Sequence, residues 1–350
     1  MHIAVIPGDG IGAEVTAEAL KVARAAAETF GKRLDVEMLP WSADYYLQTG
    51  TTVPPNGYAQ LRDFDAILVG ALGDPRVPDN RHARDILLGT RFELDLYVNQ
   101  RPVRLLDARL CPLKERSPSE VNFVVFRENT EGLYAGIGGR LKADTEDEIA
   151  IQEEVNTYKG VHRIIGHAFE FARANGGLRV CMADKSNAMP HGHALWQRVF
   201  KDMSASHPEI DAQHLYVDTL ALSMVQNPAQ FDVIVTNNLF GDIITDLGAA
   251  LQGGLGLAAS GNIHPGRTSM FEPVHGSAPL LAGKNVANPV GAILSAALMF
   301  EYLGLRNVST AIEVAVKTAV VARQGTPDIG GALGTRETGD YIAQVVMAGR

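Results

Sequence analysis

Short β-branched runs alternate with longer segments of helical period along most of this chain. Strand-like runs at residues 3–6, 34–39 and 66–69 flank helical patterns at 14–30 and near 58–62. Further strand-like runs follow at 122–126, 180–183, 214–217 and 232–236. This order predicts an α/β fold.

Size and composition argue against several classes of protein. The 350 residues, 46% of them hydrophobic, predict one large or two medium domains that need no disulfide staples. The net charge is −9 without a basic run, which argues against nucleic acid as the main partner. The two cysteines, Cys111 and Cys181, suit a reducing compartment and form no cysteine zinc site. The longest nearly apolar stretch, 290–300, is far shorter than the ~20 residues of a membrane helix. The first residues read as a strand rather than a leader, so we expect a cytoplasmic protein that does not span a membrane.

A glycine-rich turn follows the first strand. The sequence Gly-Asp-Gly-Ile-Gly-Ala at 8–13 fits the loose dinucleotide fingerprint G-x-G-x-x-A. In that fingerprint an acidic residue about twenty positions later binds the ribose. Here only Asp35 could do so, and it lies near the start of its strand and not at its end. From these residues alone, a nucleotide-binding turn and a plain glycine-rich turn lining a pocket remain open.

Three arginines are candidates for binding an anionic substrate. Arg91 and Arg101 stand ten residues apart, and Arg127 ends an apolar strand. The planar guanidinium group matches a carboxylate. Taken alone, each arginine could instead form a structural ion pair, with Glu93, Asp95 or Glu128.

Two aspartates are spaced to share one face of a helix. Asp242 and Asp246 are four residues apart among apolar neighbours, which predicts a half-buried acid pair. Such a pair needs a cation, a shared proton or an arginine, and oxygen ligands favour Mg²⁺ or Mn²⁺ over zinc. Asp218, at the predicted end of a strand, would add a third carboxylate. From spacing alone, a metal site and an N-cap acid with a surface pair remain alternatives.

Several motifs resemble those of the β-decarboxylating dehydrogenases, a family that includes isocitrate, isopropylmalate, homoisocitrate, tartrate and D-malate dehydrogenases. The matching stretches are 8–14, 91–103, 127–134, 231–246, 270–289 and 326–331. The resemblance implies an isopropylmalate dehydrogenase-like two-domain α/β fold rather than a classical Rossmann fold. Residues 1–103 with 253–350 would form the cofactor-binding domain, and 104–252 the dimerisation and metal/substrate domain.

The resemblance also implies roles for individual residues. Carboxylates of a small 2-hydroxy-diacid would be bound by Arg91, Arg101 and Arg127. The implied metal ligands for Mg²⁺ or Mn²⁺ are Asp218, Asp242 and Asp246. The implied catalytic residues are Tyr134, Lys185 and Asp218, with the lysine as base and the tyrosine as acid. In the homodimer that the resemblance implies, each subunit would donate Lys185 and Asp218 to the active site of its neighbour.

The charged segment 142–159 could be a surface arm or part of a subunit interface.

Residues 270–289 resemble the loop that binds adenine and ribose in this family. The implied cofactor-binding residues are Ile11, His275, Gly276, Ser277, Ala278 and Asn288. Leu280 and Leu281 stand where users of NAD usually carry an acid and users of NADP carry lysine and tyrosine. Because no lysine is present to meet a 2′-phosphate, we expect NAD. Asn288 followed by Pro289 predicts a helix start with asparagine as the cap and proline as the first helical residue.

The residues just before Arg91 indicate which substrate of the family this chain would bind. Leu87 and Leu88 would form an apolar wall, which favours isopropylmalate over acids with an extra carboxylate. Tartrate and D-malate dehydrogenases carry similar residues there, and Arg84 replaces a glutamate common in isopropylmalate enzymes. We therefore expect an NAD-dependent 3-isopropylmalate dehydrogenase of leucine biosynthesis, with a decarboxylating tartrate or D-malate dehydrogenase as the alternative. A non-catalytic regulatory paralogue is less favoured, because the residues implied for catalysis are all present.

Overall fold

The computed structural model describes residues 1–349, and its strands and helices alternate as an α/β protein requires. The strands are β1 (His2–Gly8), β2 (Asp35–Met38), β3 (Ala66–Ala71), β4 (Val98–Arg104), β5 (Asn122–Glu128), β6 (Gly138–Leu141), β7 (Ile149–Gln152), β8 (Val180–Asp184), β9 (Ala212–Tyr216), β10 (Val233–Thr236), β11 (Ala259–Ile263) and β12 (Ser269–Pro273). The helices are α1 (Gly12–Thr29), α2 (Ala43–Thr49), α3 (Gly57–Leu61), α4 (Arg81–Arg84), α5 (Thr90–Glu93), α6 (Tyr158–Ala174), α7 (Gly192–Ser206), α8 (Val217–Gln226), α9 (Asn238–Gln252), α10 (Val290–Tyr302), α11 (Arg306–Val321) and α12 (Thr335–Ala348). A π-helical turn, Asp85–Gly89, joins α4 to α5.

The chain folds into two compact units. Unit 1 comprises Met1–Leu96, Arg101–Val121 and the chain from Ala249 onward, and unit 2 comprises Tyr97–Gln100 and Asn122–Gly248. Residues 104–121 lie in unit 1, where the guanidinium group of Arg109 donates to the carbonyls of Val320 and Ile329, each at 2.5 Å.

Unit 1 is built on a sheet with the strand order β2-β1-β3-β12-β11. The first four strands run parallel, and β11 is antiparallel to β12. Helix α10 packs on α1, α11 and β12, and most of its residues are buried. The apolar stretch 290–300 is therefore a helix of the core, hydrophobic on all sides.

Unit 2 contains four parallel strands in the order β5-β10-β8-β9. Strands β10 and β8 are wholly buried, which suits their continuous apolar sequences. Parallel strands present their carboxyl ends at one edge, where ligands bind in open α/β sheets. Arg127, Asn237, Lys185 and Asp218 all lie at or just beyond these ends.

Segment 142–159 contributes to a two-stranded antiparallel ribbon, β6–β7, in unit 2. The ribbon exposes the apolar side chains of Leu141, Ile149 and Ile151 to solvent, and Ile137, just before β6, is exposed as well. Among residues 1–349, the structure contains no helix with the length and apolar character that a membrane crossing requires.

Two local expectations were wrong. Helix α10 begins at Val290, so Pro289 is its N-cap residue and not its first helical residue. Asn288 therefore precedes the cap, although its Oδ1 accepts the Val290 N–H at 3.0 Å. Asp218 lies in the first turn of α8 and not at the end of a strand, because β9 already ends at Tyr216. An acid in the first turn of a helix is stabilised by the helix dipole.

Candidate active-site residues

In unit 1, the glycine-rich turn packs directly against the candidate cofactor loop. The Ile11 N–H donates to the Ser277 carbonyl at 2.8 Å, and the Ser277 hydroxyl donates to the Gly73 carbonyl at 2.6 Å. A Cβ at Gly10 would lie 2.1 Å from the Ser277 carbonyl oxygen, and Gly10 has a φ of +55°. Only glycine allows this approach, so the motif holds the loop in place.

A buried aspartate and histidine, which the sequence analysis did not identify, support the same edge. Asp9 accepts the Ala43 N–H at 2.7 Å and the Gly73 N–H at 2.8 Å. His82 Nε2 lies 2.8 Å from Asp9 Oδ2, and its other ring nitrogen is buried without a partner. Because 73 residues separate the pair, no local spacing could have indicated it.

Two of the three predicted substrate arginines line one cavity in unit 1. Arg91 and Arg101 are buried and border a space of about 150 Å³, together with Leu72, Leu87 and Val274. The predicted alternative partners of Arg91, Glu93 and Asp95, do not bind it in the described structure. Instead its Nη2 donates to Glu272 Oε1 at 3.0 Å.

The anchored guanidinium of Arg91 retains binding capacity. Its buried Nε atom has no hydrogen-bond partner in the described structure. An unpaired charged donor beside a cavity is suited to an anion such as a carboxylate. Leu88, the second residue of the predicted apolar wall, is half-buried and lies outside the residues that line this cavity.

The candidate cofactor loop has polar and conformational features that fit a dinucleotide. His275 Nδ1 lies 3.1 Å from the Gly276 carbonyl, while Nε2 is buried without a partner. Burial lowers the pKa of His275, which favours the neutral ring. Ala278 has a φ of +36°, a strained conformation of the kind that clusters at binding sites.

Farther along the loop, the Leu280 residue is 84% exposed. Asn288 donates to Asp328 Oδ2 at 2.9 Å, which ties the end of the loop to the segment before α12. The unpartnered His275 nitrogen and the tightly packed glycine turn are thus compatible with the dinucleotide that the sequence resemblance implies.

In unit 2, the third arginine forms a cluster with an acid and a tyrosine. Arg127 is buried, donates from Nε to Asn238 Oδ1 at 2.8 Å and forms an ion pair with Asp242. Tyr134 donates its hydroxyl proton to Asp242 Oδ2 at 2.7 Å, and the Arg127 guanidinium lies 5.1 Å from the Tyr134 ring centroid. The predicted alternative partner of Arg127, Glu128, instead accepts from Thr130 and Glu131. Burial raises the pKa of Glu128.

The remaining predicted catalytic pair lies at the ends of two neighbouring strands of unit 2. Lys185 follows β8 directly, and its Nζ donates to Asp218 Oδ1 at 2.6 Å. This hydrogen bond lowers the pKa of Asp218. Lys185 Nζ also lies 5.6 Å from the centroid of the Tyr216 ring. The side chain of Lys185 is mostly buried, while that of Asp218 is exposed.

The predicted metal ligands are only partly assembled within one chain. Asp242 and Asp246 share helix α9, but Asp246 is exposed and not half-buried as expected, because the apolar neighbours pack elsewhere on the helix. Among residues 1–349, no three acidic, histidine or cysteine side chains come together as a metal site. The oxygen donors of Asp242 and Asp246 nevertheless have the chemistry that Mg²⁺ or Mn²⁺ requires.

Comparison with known proteins gives consistent matches over the whole chain. The family model described as isocitrate/isopropylmalate dehydrogenase matches residues 2–345. A 3-isopropylmalate dehydrogenase of Thermobifida fusca (strain YX) is 46% identical over 348 residues, covering 99% of this chain and 98% of that protein. A decarboxylating D-malate dehydrogenase of Escherichia coli (strain K12) is 42% identical over 356 residues and covers 99% of both chains.

A solved structure agrees with these sequence matches. The crystal structure of isocitrate dehydrogenase from Methylococcus capsulatus superposes with a TM-score of 0.88 at 35% identity and covers 99% of both chains. The resemblance drawn from the sequence motifs and the predicted fold class are thereby confirmed. The chain belongs to the isocitrate/isopropylmalate dehydrogenase family and is an enzyme of the decarboxylating dehydrogenase type.

Proposed function

We propose that this enzyme oxidises and decarboxylates 3-isopropylmalate to 4-methyl-2-oxopentanoate, using NAD and Mg²⁺ or Mn²⁺, in leucine biosynthesis. The observation that carries the proposal is the cavity of unit 1. Leu87, Leu72 and Val274 border the same space of about 150 Å³ as Arg91 and Arg101. An apolar wall beside two carboxylate-binding groups suits a diacid with a branched alkyl substituent.

The arginines bind and orient the substrate in this proposal. Arg91, Arg101 and Arg127 hold its carboxylates, and burial strengthens each of these charge-assisted hydrogen bonds. When bound, NAD would supply the acceptor for the hydride from C2, and the divalent ion would supply positive charge beside the C2 oxygen. Ile11, His275, Gly276, Ser277, Ala278 and Asn288 would hold the dinucleotide.

Two side chains carry the protons. Lys185 removes the proton of the C2 hydroxyl, and Asp218, which accepts from its Nζ at 2.6 Å, orients the amine. After the bond from C3 to the departing carboxylate breaks, Tyr134 gives a proton to C3 of the enol. The hydroxyl of Tyr134 is held by Asp242 at 2.7 Å, which keeps it in a defined position.

We propose that two copies of the chain complete each site. Within one chain, Lys185 and Asp218 form a pair of their own, while Asp242 and Asp246 lie on α9. The neighbouring subunit would supply Lys185 and Asp218, and Asp218, Asp242 and Asp246 would together hold the ion. The exposed apolar ribbon β6–β7 supports an interface between copies.

The experiment is a substrate panel on the purified holoenzyme and two variants. We expect the highest kcat/KM for 3-isopropylmalate with NAD. Leu87→Ala should lower that value by about 10- to 200-fold and leave turnover of D-malate nearly unchanged, because only the alkyl group loses contacts. Leu88→Ala is the matched control, since Leu88 does not line the cavity.

Oxidative decarboxylation of D-malate or tartrate is the second candidate. The 42% identical D-malate dehydrogenase of Escherichia coli and the presence of Arg84 in place of a glutamate support it. In the structure the Arg84 side chain is 66% exposed and lies 3.6 Å from Asp85. A higher kcat/KM for D-malate or tartrate than for 3-isopropylmalate would replace the first proposal with this one.

A further inference from the structure

A buried histidine lies directly behind the lysine to which the proposed function assigns proton removal. His193 is the second residue of α7 and is fully buried. Its Nδ1 accepts the backbone N–H of Lys185 at 2.7 Å. A nitrogen that accepts a hydrogen bond carries no proton, so the ring proton of neutral His193 lies on Nε2.

The protonated side of the ring faces a carboxylate. His193 Nε2 is 3.3 Å from Glu154, whose side chain is 10% exposed. Burial raises the pKa of Glu154, but hydrogen bonds from His193 and Asn237 outweigh burial and hold this pKa below its ordinary value. Glu154 is therefore an ionised acceptor that fixes the tautomer and the orientation of the ring.

The same carboxylate reaches the helix that carries the candidate metal aspartates. Asn237 donates from Nδ2 to Glu154 Oε1 at 2.7 Å, and its Oδ1 accepts the Phe240 N–H at 2.9 Å. The second contact caps the start of α9. The ring of Phe240 packs edge-on against His193, with centroids 5.6 Å apart.

The backbone around Lys185 is held on its other side as well. Its carbonyl accepts the N–H groups of Ala188 and Met189 at 2.9 and 2.8 Å. The two peptide groups on either side of the Lys185 Cα are therefore both fixed, one by His193 Nδ1 and the other by these N–H groups. Gly192 permits this arrangement, since a Cβ there would lie 2.6 Å from Asn156 Nδ2.

We infer that His193, oriented by Glu154, is a positioning residue that sets the placement of Lys185 and couples it to the start of α9. This inference rests on the proposed role of Lys185 as the base. A base displaced by about 1 Å can lose 10²-fold in rate, whereas binding of substrate by the arginines is left intact. Loss of the His193 acceptor should therefore lower kcat and leave KM nearly unchanged.

The test compares three substitutions in the full-length enzyme. His193→Leu removes the acceptor, and we expect kcat to fall by about 10²-fold at nearly constant KM. His193→Asn retains an acceptor oxygen close to the position of Nδ1, and it should recover most of the lost kcat. His207→Leu, at the other end of α7, is the matched control and should retain the kcat of the wild type.

Nitrogen-15 NMR of His193 in the wild-type enzyme gives a measurement that does not depend on the variants. We expect an unprotonated Nδ1 and a protonated Nε2 at neutral pH. The reverse tautomer, or a kcat for His193→Leu within twofold of the wild type, would overturn the inference. If His193→Leu fails to fold, the NMR result and the kcat of His193→Asn decide.

Lys185→Met separates this inference from the proposed function. Loss of turnover in Lys185→Met with full activity in His193→Leu would refute only the positioning role. Full activity in Lys185→Met would refute both, because the lysine would then not be the base.

Discussion

His82 Nε2 lies 2.8 Å from Asp9 Oδ2, and both side chains are buried in unit 1. His82 belongs to α4, and the helical segment that continues from α4 carries Leu87 and Arg91. Asp9 lies in the glycine-rich turn that packs on Ser277. The pair thus links the segment proposed to bind substrate to the loop proposed to bind the cofactor.

Removing the histidine of this pair should destabilise the fold. In His82→Leu, Asp9 loses a buried hydrogen-bond donor, and the free energy of unfolding should fall by about 1–3 kcal/mol. His82→Gln retains an N–H donor of similar reach and should lose less. Urea unfolding monitored by circular dichroism measures both values, with His162→Leu at an exposed position as the control. Equal stabilities of His82→Leu and the wild type would show that the pair contributes nothing.

Leu280→Asp should tighten NAD binding. The position is exposed, so the change should leave stability within about 0.5 kcal/mol of the wild type. A carboxylate here would accept a hydrogen bond from a ribose hydroxyl, and we expect the Kd for NAD to fall about 10-fold. Titration calorimetry with NAD and NADP, with Leu280→Asn as the uncharged control, checks the prediction. An unchanged Kd for NAD in Leu280→Asp would contradict it.

Asp246→Asn should weaken metal binding without affecting the fold. Because Asp246 is exposed, its substitution should leave the unfolding transition unchanged. Asp242→Asn should reduce Mn²⁺ affinity too, but it also disturbs the ion pair with Arg127 and should lower stability. Electron paramagnetic resonance of free Mn²⁺ measures the affinities. Wild-type affinity in Asp246→Asn would remove this residue from the proposed ligand set.

The half-buried His167 should make the enzyme less stable in acid. Burial lowers its pKa to about 4, whereas in the unfolded chain it titrates near its ordinary value of 6.5. The unfolded state therefore binds the proton first, and stability is lost as the pH falls from 6.5 towards 4. The pKa shift of His167 alone accounts for a loss of up to about 3 kcal/mol in the free energy of unfolding.

The matched experiment replaces His167 with phenylalanine, which can keep the edge-on contact with Phe126. The unfolding free energy of His167→Phe should fall less steeply than that of the wild type between pH 6.5 and 4. His162→Phe, at an exposed position, should follow the wild-type curve. Parallel curves for His167→Phe and the wild type would refute the prediction.

Much of the fold could be predicted because its elements have local signals. The buried strands β8 and β10 are continuous apolar runs, and the spacing of Asp242 and Asp246 correctly predicted that they share one helix. Asp218 was misplaced because the apolar run before it continues into the first turn of α8, where strand and helix patterns overlap.

The supporting contacts of the candidate site could not be predicted from local patterns. Asp9 and His82, and likewise Glu154 and His193, are brought together by the topology over 73 and 39 residues. The partner of Arg91 is similarly remote, since it is Glu272 on β12 and neither of the acids nearest in sequence, Glu93 and Asp95. Sequence spacing carries information about neighbours within an element, and these pairs join different elements.

The π-helical turn Asp85–Gly89 has a consequence for the evolution of specificity. Such a turn holds one more residue than an α-helical turn, and each residue advances a helix by about 100°. A single deletion within it would convert the segment to regular helix and rotate the preceding side chains relative to Arg91. The cavity-lining position would pass from Leu87 to a neighbouring side chain while the arginine stayed in place. A change of length at this turn would thus alter the lining of the cavity in one step, and alignments across it can assign the wrong residue to the cavity.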